Sequence, residues 1–263
     1  MSGKVFLVGA GPGSVDLLTL RAAKLIASAD VVLYDALIGT DILELARPNA
    51  RLISVGKRCG KKSLAQEDIN ALLVYWARSG DTVVRLKGGD PGVFGRVAEE
   101  TAALRAAKIE FEIVPGVTAA CSAAAAAGIS LTDRRAASQV AFATVHHSEE
   151  NAAENFAAAA REGRTLVLYM PGHDYERILR ELRRAGLKAD TPCVVVTRIA
   201  TPDQQVIWSD LRSLANESAL PSPSILIVGE VARRTSEIGE AAGRHEARAH
   251  LAQLPEELRV LLM

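Results

Sequence analysis

Cysteine is scarce in this chain of 263 residues: there are three, Cys59, Cys121 and Cys193, and no CxxC pair. An odd, scattered set argues against a disulfide scaffold and a structural zinc site, and fits reduced thiols in a cytosol. Net charge is absent too, with 31 Lys and Arg against 31 Asp and Glu. That balance argues against a surface that coats nucleic acid or an acidic membrane through its overall field. No apolar run approaches the ~20 residues that span a bilayer. The start runs from Met1 to Lys4 straight into an apolar segment without a small-residue cleavage site, so no secretory leader is expected. Aromatic residues make up only 4%, but the hydrophobic fraction of 49% and the charged fraction of 24% are those of an ordinary globular protein.

What the chain does have is a regular alternation. Lys4 to Gly9 (KVFLVG) is a short β-branched run ending in glycine, which predicts a buried strand. Apolar residues then recur at helical spacing through Leu17, Leu18, Leu20, Ala23, Leu25 and Ile26, before a second strand-like run at Val31 to Tyr34. Val83 to Leu86, Phe111 to Val114, Val140 to Ala143, Leu166 to Tyr169, Cys193 to Thr197 and Ile225 to Val228 continue the series. The clearest helices are Gln66 to Arg78 and Glu99 to Ala107. This order predicts an α/β protein with largely parallel sheets. The break is expected near Leu131 to Ala137 (LTDRRAA), giving domains at 1–134 and 135–238. The remainder, 239–263, is expected to form surface helices or a frayed tail.

Three glycine turns join strands to helices. Gly9-Ala10-Gly11-Pro12-Gly13 lets a backbone approach a ligand closely, but position 14 is Ser, so the dinucleotide fingerprint fails, and no Gly-Lys-Ser/Thr ending follows. In Lys87-Gly88-Gly89-Asp90-Pro91 a carboxylate sits where open α/β sheets bind ligands. Asp90 fits either acceptance of a ribose or ammonium hydrogen bond or the capping of the next helix. Pro115-Gly116-Val117-Thr118-Ala119 is the third turn. Each alone reads equally as a tight turn, whereas three in one domain converge on a ligand. His146-His147 lacks a further ligand group at useful spacing, so no metal site is expected.

The ordered set GAGPGSVDLLTLRA (9–22), ADVVLYDALI (29–38), VGKR (55–58), RLKGGDPGVFGR (85–96), PGVTAA (115–120) and LVLYM (166–170) resembles the tetrapyrrole methylases, most closely their uroporphyrinogen-III C-methyltransferase branch. The resemblance runs from about Lys4 to Val231. It implies a two-domain tetrapyrrole methylase-like fold, with an S-adenosylmethionine cleft between domains, in a cytoplasmic homodimer. Carried over by position, the cofactor contacts are Pro12, Gly88, Gly89, Asp90, Val93, Thr118, Ala119 and Met170. The acid/base residues fall on Asp35 and Lys57, while Arg96, Glu99 and Arg134 match residues of the tetrapyrrole site. The bifunctional sirohaem synthases of this family carry a further region for which this chain has no room, so a stand-alone methylase is expected.

The implied reaction is methylation of uroporphyrinogen III at two ring carbons to give precorrin-2, for sirohaem, cobalamin or haem d1 synthesis. The methyl donor is already electrophilic, so no metal is required. The substrate is a polycarboxylate, and Arg47, Arg51, Lys57, Arg58, Lys61 and Lys62 lie between Glu44 and Glu67 without an intervening acid. Lys87, Arg96, Arg134 and Arg135 are further candidate cations. The sequence departs from the family at Ser14, Gly92, Val97-Ala98, Val145, Pro171 and Ile199. Competing readings are another precorrin or cobalt-precorrin methyltransferase, a cofactor-binding homologue without turnover, and a nicotinamide oxidoreductase.

Overall fold

The computed structural model describes residues 3–56, 64–145, 156, 158–217 and 219–233. Lys57, Arg58, Cys59, Lys61, Lys62, His146, His147 and the tail 239–263 lie outside the described residues. Residues 1–232 form one compact unit.

The first sheet is built from β1 (Lys4–Gly9), β2 (Val31–Tyr34), β3 (Arg51–Ser54), β4 (Val83–Lys87) and β5 (Glu110–Val114), in the order β3-β2-β4-β1-β5. All four pairings are parallel. Parallel pairing demands a crossover after each strand, and covered faces make the strands apolar throughout. One face buries Val8, Val32, Val84 and Leu86 with Ala22 and Ile26 of α1 (Leu20–Ser28) and Ile42 of α2 (Thr40–Leu43). The other buries Val5, Leu7, Val31, Leu33 and Val83 with α3 (Gln66–Arg78) and Leu104 of α4 (Val97–Ala106). Helix α3 forms because Ile69, Leu73 and Ala77 recur at four-residue spacing and face the sheet. Glu67 and Asp68 in its first turn and Arg78 in its last complement the helix dipole.

The second sheet contains β6 (Gln139–Thr144), β7 (Arg164–Tyr169), β8 (Pro192–Thr197), β9 (Gln205–Asp210) and β10 (Ser224–Val228), ordered β6-β7-β10-β8-β9. It is mixed: β6 and β7 are parallel, and the other three pairings are antiparallel. One face carries α6 (Tyr175–Arg184), whose N-cap Asp174 accepts a 2.9 Å bond from the Arg177 amide, and α7 (Leu211–Leu214). The other face, with Val167, Val194, Val196, Ile225 and Ile227, is covered by α5 (Ala119–Ala126). Ala120, Ala123 and Ala124 are buried there, and single methyl side chains let the helix lie close to the strands. Thus α5 follows the last strand of the first sheet along the chain but packs on the second sheet. The break segment folds as a tight turn, with Asp133 bridging Ala137.

Candidate functional site

Because the first sheet is parallel, the loops after β1, β2, β4 and β5 all emerge along one edge, its carboxyl end. Three of them are fastened together, two by their backbones and the third through a side chain. The Gly11 amide donates to the Gly89 carbonyl at 3.2 Å, and the Gly89 amide returns the bond to Gly11 at 2.7 Å. Asp90 ties in the third loop: one carboxylate oxygen accepts from the Gly92 amide at 2.8 Å, the other from the Gly116 amide at 3.0 Å. The loops approach so closely that a Cβ on Gly116 would lie 2.3 Å from the Gly89 carbonyl oxygen and 2.8 Å from the Gly9 Cα. A Cβ on Gly88, by contrast, meets nothing within 4 Å. The junction is therefore closed on its inner side and open at Gly88.

The second sheet supplies the opposing wall. Tyr169, at the end of β7, exchanges a 2.5 Å hydrogen bond between its hydroxyl and Thr118 Oγ1, and accepts a 3.2 Å bond from the Ala120 amide. This fixes the N-terminus of α5, where free amide groups need acceptors. Burial pushes the Tyr169 hydroxyl above its ordinary value. Its folded value exceeds its unfolded one, so this contribution is present below about pH 10 and fades as pH rises through the elevated value. Replacing Tyr169 by Phe is expected to cost about 1 kcal/mol through these lost bonds, read as a lower urea midpoint at pH 7.5. An unchanged midpoint would show that the hydroxyl does not hold the helix.

Phe94 and Phe142 lie 4.8 and 5.7 Å from the Tyr169 ring, each about 40% exposed. Met170, next to Tyr169, is 46% exposed. On the same side the Gly13 loop meets the turn after β8: a Cβ on Gly13 would lie 3.0 Å from the Ile199 carbonyl oxygen. Left-handed backbone is concentrated in this region. Phe94, Arg96, Met170, Arg198 and Ala200 all have φ between 47° and 57°, a conformation that costs a side-chain-bearing residue free energy and is found preferentially at functional sites.

The expected residues divide clearly by place. Pro12, Gly88, Gly89, Asp90, Thr118 and Ala119 lie in or beside the fastened loops, and Val93 packs against the apolar cluster of the second sheet. Met170 is exposed at the end of β7, not a core residue. Asp35 leaves β2 on the same edge, its amide bonded to the Leu86 carbonyl at 3.2 Å. Arg96 and Glu99 form a fork, with two bonds of 2.7 Å. That bond raises the guanidinium's value and lowers the carboxyl's. The pair therefore holds above the ordinary carboxylate range and weakens only as pH falls through Glu99's depressed value. Arg134 is exposed and has no ion-pair partner among the described residues, while neighbouring Arg135 is taken by Asp133. Of the family departures, Ile199 is buried in the second sheet's core, Val97 packs against the first, and Pro171 is buried beside Met170.

Three of the candidate cations are engaged elsewhere in the fold. Arg47 pairs with Asp30 and Arg51 stacks 5.1 Å from the Trp76 ring. Asp30 precedes β2 and Arg51 opens β3, so both lie at the amino edge of the sheet, away from the loops. Lys87 is 3% exposed and bonded to Glu100 Oε1 at 2.9 Å. It belongs to a buried set that sequence reasoning missed. Arg85 Nε also reaches Glu100 Oε1 at 2.9 Å, and Arg85 NH2 reaches Asp35 Oδ1 at 2.5 Å. Glu100 is fully buried, and its second oxygen has no hydrogen-bond partner among the described residues. Burial pushes the Lys87 ammonium below its ordinary value. The available signal was the alternation in β4: with Val83 inward on the α3/α4 face, Arg85 and Lys87 must share that face.

Glycine loops fastened along the carboxyl edge of a parallel sheet, with a second sheet's left-handed turns nearby, define an α/β protein whose loops lie where open sheets of this class bind ligands. The chain belongs to the tetrapyrrole (corrin/porphyrin) methylases, whose family profile matches residues 4–215. A siroheme synthase of Zymomonas mobilis is 44% identical over 239 residues, 90% of this chain and 50% of that protein. The chloroplastic S-adenosyl-L-methionine-dependent uroporphyrinogen III methyltransferase of Arabidopsis thaliana is 45% identical over 234 residues, 87% of this chain and 63% of that one. A crystal structure of the uroporphyrin-III C-methyltransferase of Thermus thermophilus, complexed with S-adenosylhomocysteine, superposes with a TM-score of 0.75 at 38% identity, covering 88% of this chain and 94% of that one. The chain spans about half the length of the siroheme synthases it matches. Among the described residues no helix is long and apolar enough to cross a membrane.

Proposed function

We propose that this chain transfers methyl groups from S-adenosylmethionine to two carbons of uroporphyrinogen III, giving precorrin-2. We infer that it acts as a cytoplasmic homodimer, with residues 1–134 carrying the loops and 135–238 closing the cleft. The observation that carries this reading is the juxtaposition of an open backbone cradle at Gly88 with a carboxylate, Asp35, on the same sheet edge. The cradle suits the cofactor: exposed amides and carbonyls for its polar groups, and Met170, Val93 and Ala119 for its apolar parts. Gly89, Asp90, Pro12 and Thr118 would hold the loops in that shape.

When bound, the cofactor supplies an electrophilic methyl group, whose bond to sulfur breaks as the ring carbon's electron pair forms the new C–C bond. The protein's main task is then to align donor and acceptor, which can supply most of the acceleration. Asp35 takes the proton that the methylated, cationic macrocycle must lose, and Lys57 is its proposed acid/base partner. Arg96, held in a fork by Glu99, and Arg134, without an ion-pair partner among the described residues, would receive substrate carboxylates, the planar guanidinium matching two oxygens at once.

Incubation of the purified protein with uroporphyrinogen III and cofactor tests the reading. A dimethylated product by mass spectrometry is expected, and its absence overturns it. The cradle is tested separately with Gly88→Ala. Since a Cβ there touches nothing, the melting temperature should stay within about 2 °C, while cofactor affinity falls at least about tenfold, or ~1.4 kcal/mol. Unchanged calorimetric affinity would place the cofactor elsewhere.

A further inference from the structure

The buried charges beneath α4 surface at one member. Arg85 and Lys87 are each 3% exposed and Glu100 not at all, whereas Asp35 is 32% exposed at the cleft edge. Two buried cations share one buried carboxylate oxygen, so the set is balanced only with Asp35 counted in it. We propose that Arg85 is the positioning residue for Asp35, holding one carboxylate oxygen so that the other faces the substrate. This deepens the methyl-transfer reading and rests on it.

The geometry of Arg85 supports that role. Its guanidinium is held at three separate points: Nε to Glu100 at 2.9 Å, NH1 to the Leu86 carbonyl at 3.2 Å, and NH2 to Asp35 Oδ1 at 2.5 Å. A planar fork anchored on two sides fixes the direction of the third bond, which a lysine ammonium on a flexible stem cannot do. The Asp35 main chain is fixed as well, by its amide bond to Leu86. Asp35 Oδ2 has no hydrogen-bond partner among the described residues. Among the described residues the group has one other free acceptor, Glu100 Oε2, and that one is fully buried. Once the macrocycle has gained its methyl group, it carries a positive charge. A ring N–H or bridging C–H then breaks toward Oδ2, its electron pair stays in the ring π-system and cancels that charge, and Asp35 becomes a neutral acid. The proton leaves to water through the exposed side of the residue. Nothing in this step requires Arg85 to touch substrate or cofactor; it acts through Asp35.

A double-mutant cycle reads that dependence. The four proteins are the unaltered chain, Asp35→Asn, Arg85→Met and the double variant, assayed for methyl transfer to uroporphyrinogen III and, by calorimetry, for S-adenosylmethionine binding. Asp35→Asn should lower kcat about 100-fold, the range expected for loss of a positioned base. Arg85→Met should lower kcat at least about tenfold with KM and cofactor affinity within about twofold. In the Asp35→Asn background, Arg85→Met should cost less than about twofold, because the group it positions is already gone. Arg85→Lys keeps the buried charge and forms the second arm if the methionine variant does not fold. It should lower kcat several-fold, and this loss too should vanish beside Asp35→Asn. Multiplying losses in the double variants, or full kcat in either single Arg85 variant or in Asp35→Asn, would overturn the proposal. An unaltered protein without turnover removes the methyl-transfer reading and the proposal together, whereas turnover with multiplying losses removes the proposal alone.

Discussion

Glu100→Ala is expected to destabilise the chain by about 3–5 kcal/mol, because it strips the carboxylate from two buried cations and leaves them facing each other. Arg85 and Lys87 lie two residues apart on the same face of β4, both within 2.9 Å of Glu100 Oε1. With that oxygen gone, Asp35 is the carboxylate left to offset them among the described residues, and of the two cations it pairs with Arg85. For a chain of this size the loss corresponds to a melting point lower by roughly 6–20 °C. Glu100→Gln should fall between the two, since its amide oxygen can still accept a hydrogen bond but carries no charge. Scanning calorimetry on the three proteins distinguishes them. A Glu100→Ala protein melting within about 2 °C of the original would mean that the buried cations find other partners or lose their protons. The second route is the one Lys87 has open, since burial has already pushed its ammonium down. A lysine whose folded value is depressed is less costly to bury as pH rises toward its ordinary value of 10.5. The deficit of the Glu100→Ala variant should therefore shrink in alkali.

Gly116→Ala is expected to cost both stability and cofactor affinity. The added carbon would stand 2.3 Å from a carbonyl oxygen and 2.8 Å from a Cα, both backbone atoms of neighbouring loops. Side chains can turn away from an intruding methyl group, but these backbones are tied by the Gly11–Gly89 pair and by Asp90. The loops must separate, breaking the Asp90 bond to the Gly116 amide. Overpacking of this kind costs about 1–3 kcal/mol, and with the cradle distorted cofactor affinity should fall at least about tenfold, ~1.4 kcal/mol. Calorimetric titration beside Gly88→Ala separates the two effects. Both variants should bind weakly, but only Gly116→Ala should also melt earlier. If Gly116→Ala binds the cofactor normally, the closed inner side of the junction is not what shapes the site.

Much of the architecture is legible in the sequence because buried parallel strands are apolar on both faces. Val31 to Tyr34 and Val83 to Leu86 read as strands without reference to their partners, and Gln66–Arg78 shows its helical period plainly. The strands that escape notice are β3 and β9, both at sheet edges. Arg51–Ser54 and Gln205–Asp210 are half exposed, so neither forms an apolar run. The glycine loops are legible as loops, but their fastening is not, since Gly11, Gly89 and Gly116 meet only because β4 and β5 flank β1. Charge was the least legible property. A run of cations along the chain looks like one patch, yet Arg47 and Arg51, at its beginning, lie at the amino edge of the sheet, where Asp30 and Trp76 engage them away from the glycine loops. Conversely, Asp35, Arg85 and Glu100 look like surface residues when read singly. They become one connected unit, buried except at Asp35, through contacts 50 and 15 residues apart.

The left-handed residues around the cleft bear on how durable the molecule is. Phe94, Arg96, Met170, Arg198 and Ala200 each occupy backbone that glycine would adopt without strain, at a cost of about 1 kcal/mol apiece. Together they amount to a sizeable fraction of the net stability of a typical domain. That reserve of thermal robustness lies around the mouth of the cleft, where Phe94, Arg96 and Met170 offer side chains that glycine lacks. A search for hardier variants would find its gains at these positions, and at the first three the same substitutions would remove the Phe94 ring beside Tyr169, the Arg96–Glu99 fork and the exposed Met170 side chain.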